Sequence, residues 1–354
     1  MTTLLAGDIG GTKTLLSLYS WDGASLQLRA SERFPSSDWS DLASMVVHFL
    51  REGEASGHPR PKAACFAVAG PVQGGRAQLT NLNWHLSESE LATACAIDCI
   101  DLVNDFAVLV YGLPHLQPEQ LAPVREGSPL AEEPRLILGA GTGLGVAVGV
   151  PTAAGLRALA SEAAHGEFAP RSEAEWQLKQ WLQHDLQLER VSIERVVSGT
   201  GLGQVARWLL SCRAPAGDHP LSDVALRWQQ QQQGAARGDG PASAAGTPVD
   251  LPAAVAAAAA GGDSLAAEAL QLWLAAYGSV VGDLALACLS RGGVWLAGGT
   301  AGKLLEGLRA PAFQEAFLAK GRLRSTLEPI PIQAVIDPAA GSFSAACRAL
   351  ARLR

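Results

Sequence analysis

The sequence predicts an α/β protein of two domains with a cleft between them. Three observations carry the prediction. At 354 residues the chain is too long for one typical core and short for three. Short, fully apolar runs alternate with longer stretches whose apolar residues recur at helical spacing. A glycine-turned hairpin also occurs twice, at Leu4–Thr14 and again at Arg135–Val150. The repeat points to an internally duplicated architecture whose two hairpins face each other across the cleft.

The first hairpin lies at the very start of the chain. Leu4-Leu5-Ala6 reads as a buried strand, Gly7-Asp8-Ile9-Gly10-Gly11-Thr12 as a tight turn, and Leu15–Tyr19 as the returning strand. Glycines let the backbone approach a ligand closely, and free N–H groups in such a turn can ring a phosphate. Thr12 and Thr14 add hydroxyls. Asp8 is repelled by phosphate unless a cation lies between them, which suggests Mg²⁺ held directly or through water. The stretch is not a Walker A loop, because Lys13 follows Thr12 and not a glycine, and it is not a GxGxxG fingerprint. A glycine-rich hairpin without any ligand has the same appearance.

Further along, the turn Trp21-Asp22-Gly23 leads to a third strand at Leu26–Phe34, then a helix over Leu42–Arg51 and a buried strand at Ala63–Ala69. A polar loop carries Asn81, Asn83 and Trp84. Ser87 and Glu90 have the spacing of a capping box at the head of a helix ending near Ala96. The buried strand Ile100–Val103 runs straight into Asn104-Asp105-Phe106, ahead of an apolar helix at Ala107–Leu113. The second hairpin comes next, with its Gly141-Thr142-Gly143 turn. Leu159–Pro170 reads as a loop holding Glu162, His165 and Glu167, and helices are expected at Glu173–Leu186 and after Ser198-Gly199-Thr200-Gly201.

From about Gln229 to Gly262 the character changes to a glutamine run, then Gly/Ala/Ser/Pro-rich sequence, then alanines. The part near 229–250 reads as a low-complexity surface insertion. Deleting Gln230 to Gly246 is expected to leave activity intact. A long apolar helix over Leu265–Arg291, a strand Val294–Ala297 entering a third glycine turn at Gly298-Gly299-Thr300, a strand Ile332–Ile336 and a helix Gly341–Leu353 close the chain.

Bulk composition excludes some classes. A formal net charge of −7 and the lack of any Lys/Arg block argue against nucleic acid as a partner. The six cysteines have no zinc spacing and sit in apolar surroundings, as reduced core residues of a cytoplasmic protein do. No signal peptide and no uninterrupted apolar run of membrane-spanning length is read, so no membrane partner is expected.

The chemistry concentrates at a few positions. Asp105 lies at the end of a buried strand, where open α/β sheets place their ligands. It suits a base for phosphoryl transfer to a hydroxyl, and it equally suits the cap of the following helix. Asn104 can offer a donor and an acceptor to a pair of sugar hydroxyls, or serve as a turn residue. Glu162 and His165, three apart, could read neighbouring hydroxyls of one ring. A metal pair or a plain surface loop fits them too. Glu194 is either a ligand residue or a solvated carboxylate.

Taken in order, seven segments resemble the bacterial glucokinases, of the hexokinase–actin–chaperone ATPase superfamily. They are GDIGGT at Gly7–Thr12, AGPVQGGRAQLTNLNW at Ala69–Trp84, NDF at Asn104–Phe106, GAGTGLGVA at Gly139–Ala147, SEAAHGEFAP at Ser161–Pro170, ERVVSGTGL at Glu194–Leu202 and LAGGT at Leu296–Thr300. The resemblance implies a two-domain actin-like ATPase (ribonuclease H-like) fold. Residues 1–110 plus about 340–354 would form the small domain and 111–339 the large one. It implies ATP-dependent phosphorylation of D-glucose at the 6-hydroxyl, the first step of glycolysis, with Mg²⁺ on the phosphates and a homodimer as the assembly.

By the same resemblance Gly7, Asp8, Ile9, Gly10, Gly11 and Thr12 form the first phosphate loop, with Asp8 reaching Mg²⁺ through water. Gly141, Thr142 and Gly143 form the second phosphate loop, and Gly298 and Gly299 lie against the adenosine. Asp105 is the base, and Asn81, Asn104, Glu162, His165 and Glu194 hold the sugar. Three departures stand out. Lys13 gives GGTK, as in repressor-related sugar kinases. Glu162-Ala163-Ala164-His165 replaces Glu-Gly-Gly-His. The zinc cysteines of the repressor-type kinases are missing, so the zinc-free branch is the better match. A kinase for another hexose or an N-acyl sugar, or a non-catalytic sugar sensor, is the alternative. A repressor would need a DNA-binding helix-turn-helix ahead of the first strand.

Overall fold

A computed structural model of the chain describes residues 1–79, 82–215, 217–236 and 249–353. β1 (Thr2–Ile9), β2 (Lys13–Trp21) and β3 (Leu26–Pro35) form an antiparallel meander, to which β4 (Ala63–Val68) adds in parallel. β5 (Val72–Gln73), β6 (Arg76–Leu79) and β7 (Trp84–Ser87) make a small sheet of their own before β8 (Cys99–Asn104) returns beside β4. The later strands are β9 (Leu121–Arg125), β10 (Arg135–Ala140), β11 (Leu144–Thr152), β12 (Gly155–Ser161), β13 (Val294–Ala297) and β14 (Ile332–Val335).

The two large sheets have the same plan. The first runs β3-β2-β1-β4-β8 and the second β12-β11-β10-β13-β14, with β9 added at its edge. In each, an antiparallel meander leads into parallel strands. The expected duplication is therefore present at the level of topology.

Helices α1 (Leu42–Ala55), α2 (Glu88–Cys95) and α3 (Leu109–Gly112) belong to the first half of the chain. The second half holds α4 (Glu173–Asp185), α5 (Ile193–Val196), α6 (Gly199–Arg213), α7 (Ser222–Ala236), α8 (Leu251–Ala260) and α9 (Ser264–Ala287). It continues through α10 (Gly299–Lys303), α11 (Leu305–Arg309), α12 (Pro311–Leu318) and α13 (Arg324–Leu327) to α14 (Ala340–Ala351). One face of the first sheet (Leu5, Leu16, Phe66) packs on Met45, Phe49 and Leu91 of α1 and α2. Its other face (Leu4, Ala6, Cys65) packs on the alanines of α14, which bring the chain's end back to the first strand. A third cluster joins Val110 of α3 to Ile137, Ala147 and Val335 of the second sheet, and Val103 of β8 in the first sheet packs against it.

Several expectations change. Gly7, Asp8 and Ile9 belong to β1, and the turn proper is Gly10-Gly11-Thr12. Ser87 precedes α2 without capping it, because its hydroxyl pairs with Ser89. The segment read as a loop at Leu159–Pro170 begins as β12 and continues through a 3₁₀ turn at Ala163–His165. The described part of the glutamine run is helical, as the continuation of α7; Ala225 and Trp228 of that helix and Leu221 just ahead of it are buried at helical spacing. Residues 237–248 lie outside the described residues. α9 is long and apolar enough to cross a membrane, yet Trp273, Tyr277 and Val281 are fully buried beneath the second sheet, as in a core helix. Of the cysteines read as core residues, Cys65, Cys95 and Cys347 are buried, whereas Cys212 is exposed.

Candidate active site

β8 delivers Asn104 and Asp105 to the carboxyl end of the first sheet. Asn104 is the residue that caps the following turn. Its Oδ1 accepts from the N–H groups of Phe106 and Ala107, both at 3.0 Å. Its Nδ2 donates to Gly70 O at 3.1 Å and to Asp105 Oδ1 at 3.0 Å. The four bonds occupy the whole amide, so a direct sugar contact from Asn104 requires exchanging one of them. Because Asn104 carries the cap, Asp105 is released from that role. Among the described residues, Asp105 Oδ1 accepts only from its neighbours, Asn104 and the Phe106 N–H. Burial pushes its carboxyl up to about 6; the Phe106 N–H opposes the rise, and the carboxylates of Asp8 and Glu162 add to it.

In the first hairpin, Gly7 and Ile9 serve the fold. Gly7 is paired on both sides, with Leu16 and Phe66, and a Cβ there would come within 2.5 Å of the Phe66 ring. The Ile9 side chain is fully buried. Asp8, Gly10, Gly11 and Thr12 keep surface open at the turn. Protein crowding raises the Asp8 pKa, partly offset by the Arg33 guanidinium. Thr14 does not face a ligand: it is fully buried and its hydroxyl meets Ser36 Oγ at 3.0 Å. Ser36 in turn donates to Gly10 O at 2.9 Å, and its N–H bonds Thr12 O at 3.0 Å. Ser36 is thus the clamp on the turn. Lys13 has an exposed side chain, and its carbonyl accepts from the Gly10 N–H at 3.1 Å.

The second hairpin is braced from α5 and α6. Glu194 Oε2 accepts from the Leu144 N–H at 2.9 Å and lies against Gly143. That places Glu194 on the hairpin turn, a role its sequence position did not suggest. Gly199 N donates to Gly141 O at 2.7 Å and Thr200 Oγ1 to Thr142 O at 2.8 Å, so the amino end of α6 meets the turn. Trp273 of α9 donates to Ser198 O at 2.8 Å from a fully buried position and fixes that end. Thr300 Oγ1 donates to Ala140 O at 2.6 Å, while Gly298 takes φ +84° to let α10 begin beside the hairpin. A cavity of about 550 Å³ opens here, with Gly141, Thr142, Gly199, Thr200, Gly299 and Thr300 among its lining residues. A glycine turn flanked by two helix starts is suited to a polyphosphate.

Residues 5–352 match the glucokinase family. This chain belongs to that family. A glucokinase of Synechocystis sp. is 41% identical over 97% of this chain and 96% of its own length. A glucokinase crystal structure from an Antarctic psychrotroph superposes with a TM-score of 0.79 at 27% identity, covering 99% of both chains. The ROK family glucokinase of Streptomyces griseus, solved with glucose and AMPPNP, shares the fold (TM-score 0.60, 17% identity, 98% of this chain and 99% of the other). The fold is the expected actin-like ATPase fold. The activity is that of a glucokinase, an ATP-dependent phosphorylation of glucose.

The remaining glucokinase candidates stand on the 3₁₀ turn Ala163–His165. Glu162 Oε2 and His165 Nε2 are 3.5 Å apart, with side chains 68% and 54% exposed, so both can still take a ligand. The turn is anchored by Arg190, which donates to His165 O at 2.8 Å. Glu167 is withdrawn from the site into an ion pair with Lys179 at 2.6 Å. Asn81 lies outside the described residues. Sequence reading missed Ser36, Phe106 and Trp273, all of which act by holding other residues. For Phe106 a signal existed: glycines at 139 and 145, paired across the hairpin, leave room for a ring.

Proposed function

We propose that this glucokinase transfers the γ-phosphoryl group of ATP to the 6-hydroxyl of D-glucose, with Asp105 as the base. The supporting observation is the state of that carboxylate: half-buried, raised to about 6, and relieved of capping by Asn104. At neutral pH it is ionised and still basic enough to accept the hydroxyl proton as the phosphorus–oxygen bond forms. Glu162 and His165 hold neighbouring ring hydroxyls, and Asn81 adds an amide to the same sugar. Glu194 steadies the second hairpin through one oxygen and offers the other to the sugar.

The phosphates lie between the turns Gly10-Gly11-Thr12 and Gly141-Thr142-Gly143, with the amino end of α6 favouring negative charge. Gly298 and Gly299 lie on the adenosine side. Asp8, whose carboxylate stays accessible at the turn, fits a hydrated Mg²⁺, which would supply charge neutralisation on the phosphates. Residues 1–110 with 340–354 would act as one domain and 111–339 as the other, in a cytoplasmic homodimer.

A coupled ADP assay with ATP and a panel of glucose, mannose, glucosamine and N-acetylglucosamine tests the reading. Glucose is expected to give the highest kcat/KM. Turnover on no hexose would contradict it, as would turnover on the N-acyl sugar alone, which would favour an N-acyl sugar kinase.

A further inference from the structure

The cavity beside the second hairpin has a wall that phosphate binding leaves unused. It comes from α7, α8 and the residues just ahead of α8, and includes Trp228, Gln232, Val249 and Asp250. Trp228 is buried, and its ring fills the space over Gly203 of α6, where a Cβ would come within 2.8 Å of it. Gln231 Oε1 accepts from the Val249 N–H at 3.1 Å and ties the start of α8 to α7. Gln232 stands one helical turn after Trp228, hence on the same side of α7. Its side chain makes no hydrogen bond to any described residue, and it lines the cavity. The arrangement sets the apolar Trp228 and Val249 beside one amide, in the same cavity as the Gly141-Thr142 turn.

We infer that the glutamine run of α7 is the base-reading wall of the nucleotide site, with Gln232 pairing the edge of adenine. A side-chain amide presents one donor and one acceptor side by side, matching the amine and ring nitrogen of adenine's outer edge; guanine shows two acceptors there. Trp228 and Val249 bound the ring. The inference rests on reading this cavity as the ATP site, and it gives the low-complexity stretch a role in choosing the phosphoryl donor.

The test is equilibrium titration of the full-length protein and of Gln232→Ala with AMPPNP and GMPPNP in saturating glucose. Gln232 is exposed, so the variant is expected to fold with an unchanged Tm. The wild type should prefer the adenine nucleotide. In the variant, adenine affinity should fall about tenfold while guanine affinity holds, narrowing the preference. An unchanged preference in the variant would overturn the inference, and so would a wild type that binds both nucleotides equally. Binding is read whether or not phosphoryl transfer occurs, so failure of the kinase reading would show separately, as lost turnover with intact nucleotide discrimination.

Discussion

The ring of Phe106 lies on Gly145, where an added Cβ would fall inside the ring, and it also covers Gly139 across the hairpin. The residue following the proposed base is therefore keyed into β10 and β11, the strands that flank the turn proposed to hold the phosphates. On the proposed assignment, this contact links the acceptor side of the reaction to the donor side.

Replacing Gly145 with Ala should displace Phe106 and, with it, Asp105. Overpacking of this kind costs about 1–3 kcal/mol, and a misplacement of about 1 Å can reduce rate some hundredfold. We expect kcat to fall at least tenfold in Gly145→Ala (a lower bound on that roughly hundredfold scale) and to recover in part when Phe106→Leu makes room. Strictly additive effects of the two substitutions in a coupled ADP assay would show that the residues act independently.

Asp105 also sets a pH dependence. Its carboxyl is held up to about 6, chiefly by burial, and only the ionised form accepts a proton. The kcat/KM for glucose should rise tenfold per pH unit below about 6 and level off above it. A profile flat down to pH 5 would contradict this assignment.

The same shift has a stability consequence of opposite sense. A carboxyl whose pKa is higher folded than unfolded contributes stability that is fully present below its unfolded pKa near 3.8 and is lost as pH rises through about 6. At neutral pH the ionised Asp105 therefore costs stability, on the order of 3 kcal/mol. Asp105→Asn keeps the Oδ1 acceptor and should melt higher than the wild type at pH 7.5. The difference should shrink toward pH 4. Equal Tm values at pH 7.5 would refute the penalty.

Ser36→Ala removes the clamp on the first turn. Thr14 would be left buried without its partner, a loss of about 1–3 kcal/mol. Lower Tm and a raised KM for ATP are expected, with the KM for glucose unchanged. An unchanged KM for ATP would show that the turn holds its shape without Ser36.

The hairpins were legible because short apolar runs bracket glycines, and the duplicated plan came from meeting that pattern twice. What the glycines do was less legible. Gly7, Gly139 and Gly145 are bare because Phe66 and Phe106 occupy the space of their missing side chains. A glycine in sequence does not say whether its space faces a ligand or a ring. Composition alone did not show that the glutamine run is helical. Leu221, Ala225 and Trp228 carry a helical stripe, and that periodicity outweighs low complexity once the stripe has a core to meet. β5 to β7 span only two to four residues each, too short for periodicity to register. Ser36 is invisible for another reason: a lone serine at a strand end gains meaning only when the turn it clamps is beside it.

The central claim is that Asp105 takes the proton from the sugar hydroxyl. Asp105→Asn measured for both glucose binding by calorimetry and turnover by ADP release tests it most directly. Glucose should still bind with near wild-type affinity, while kcat falls by about 10²–10⁴. A variant that keeps near-normal kcat would contradict the account.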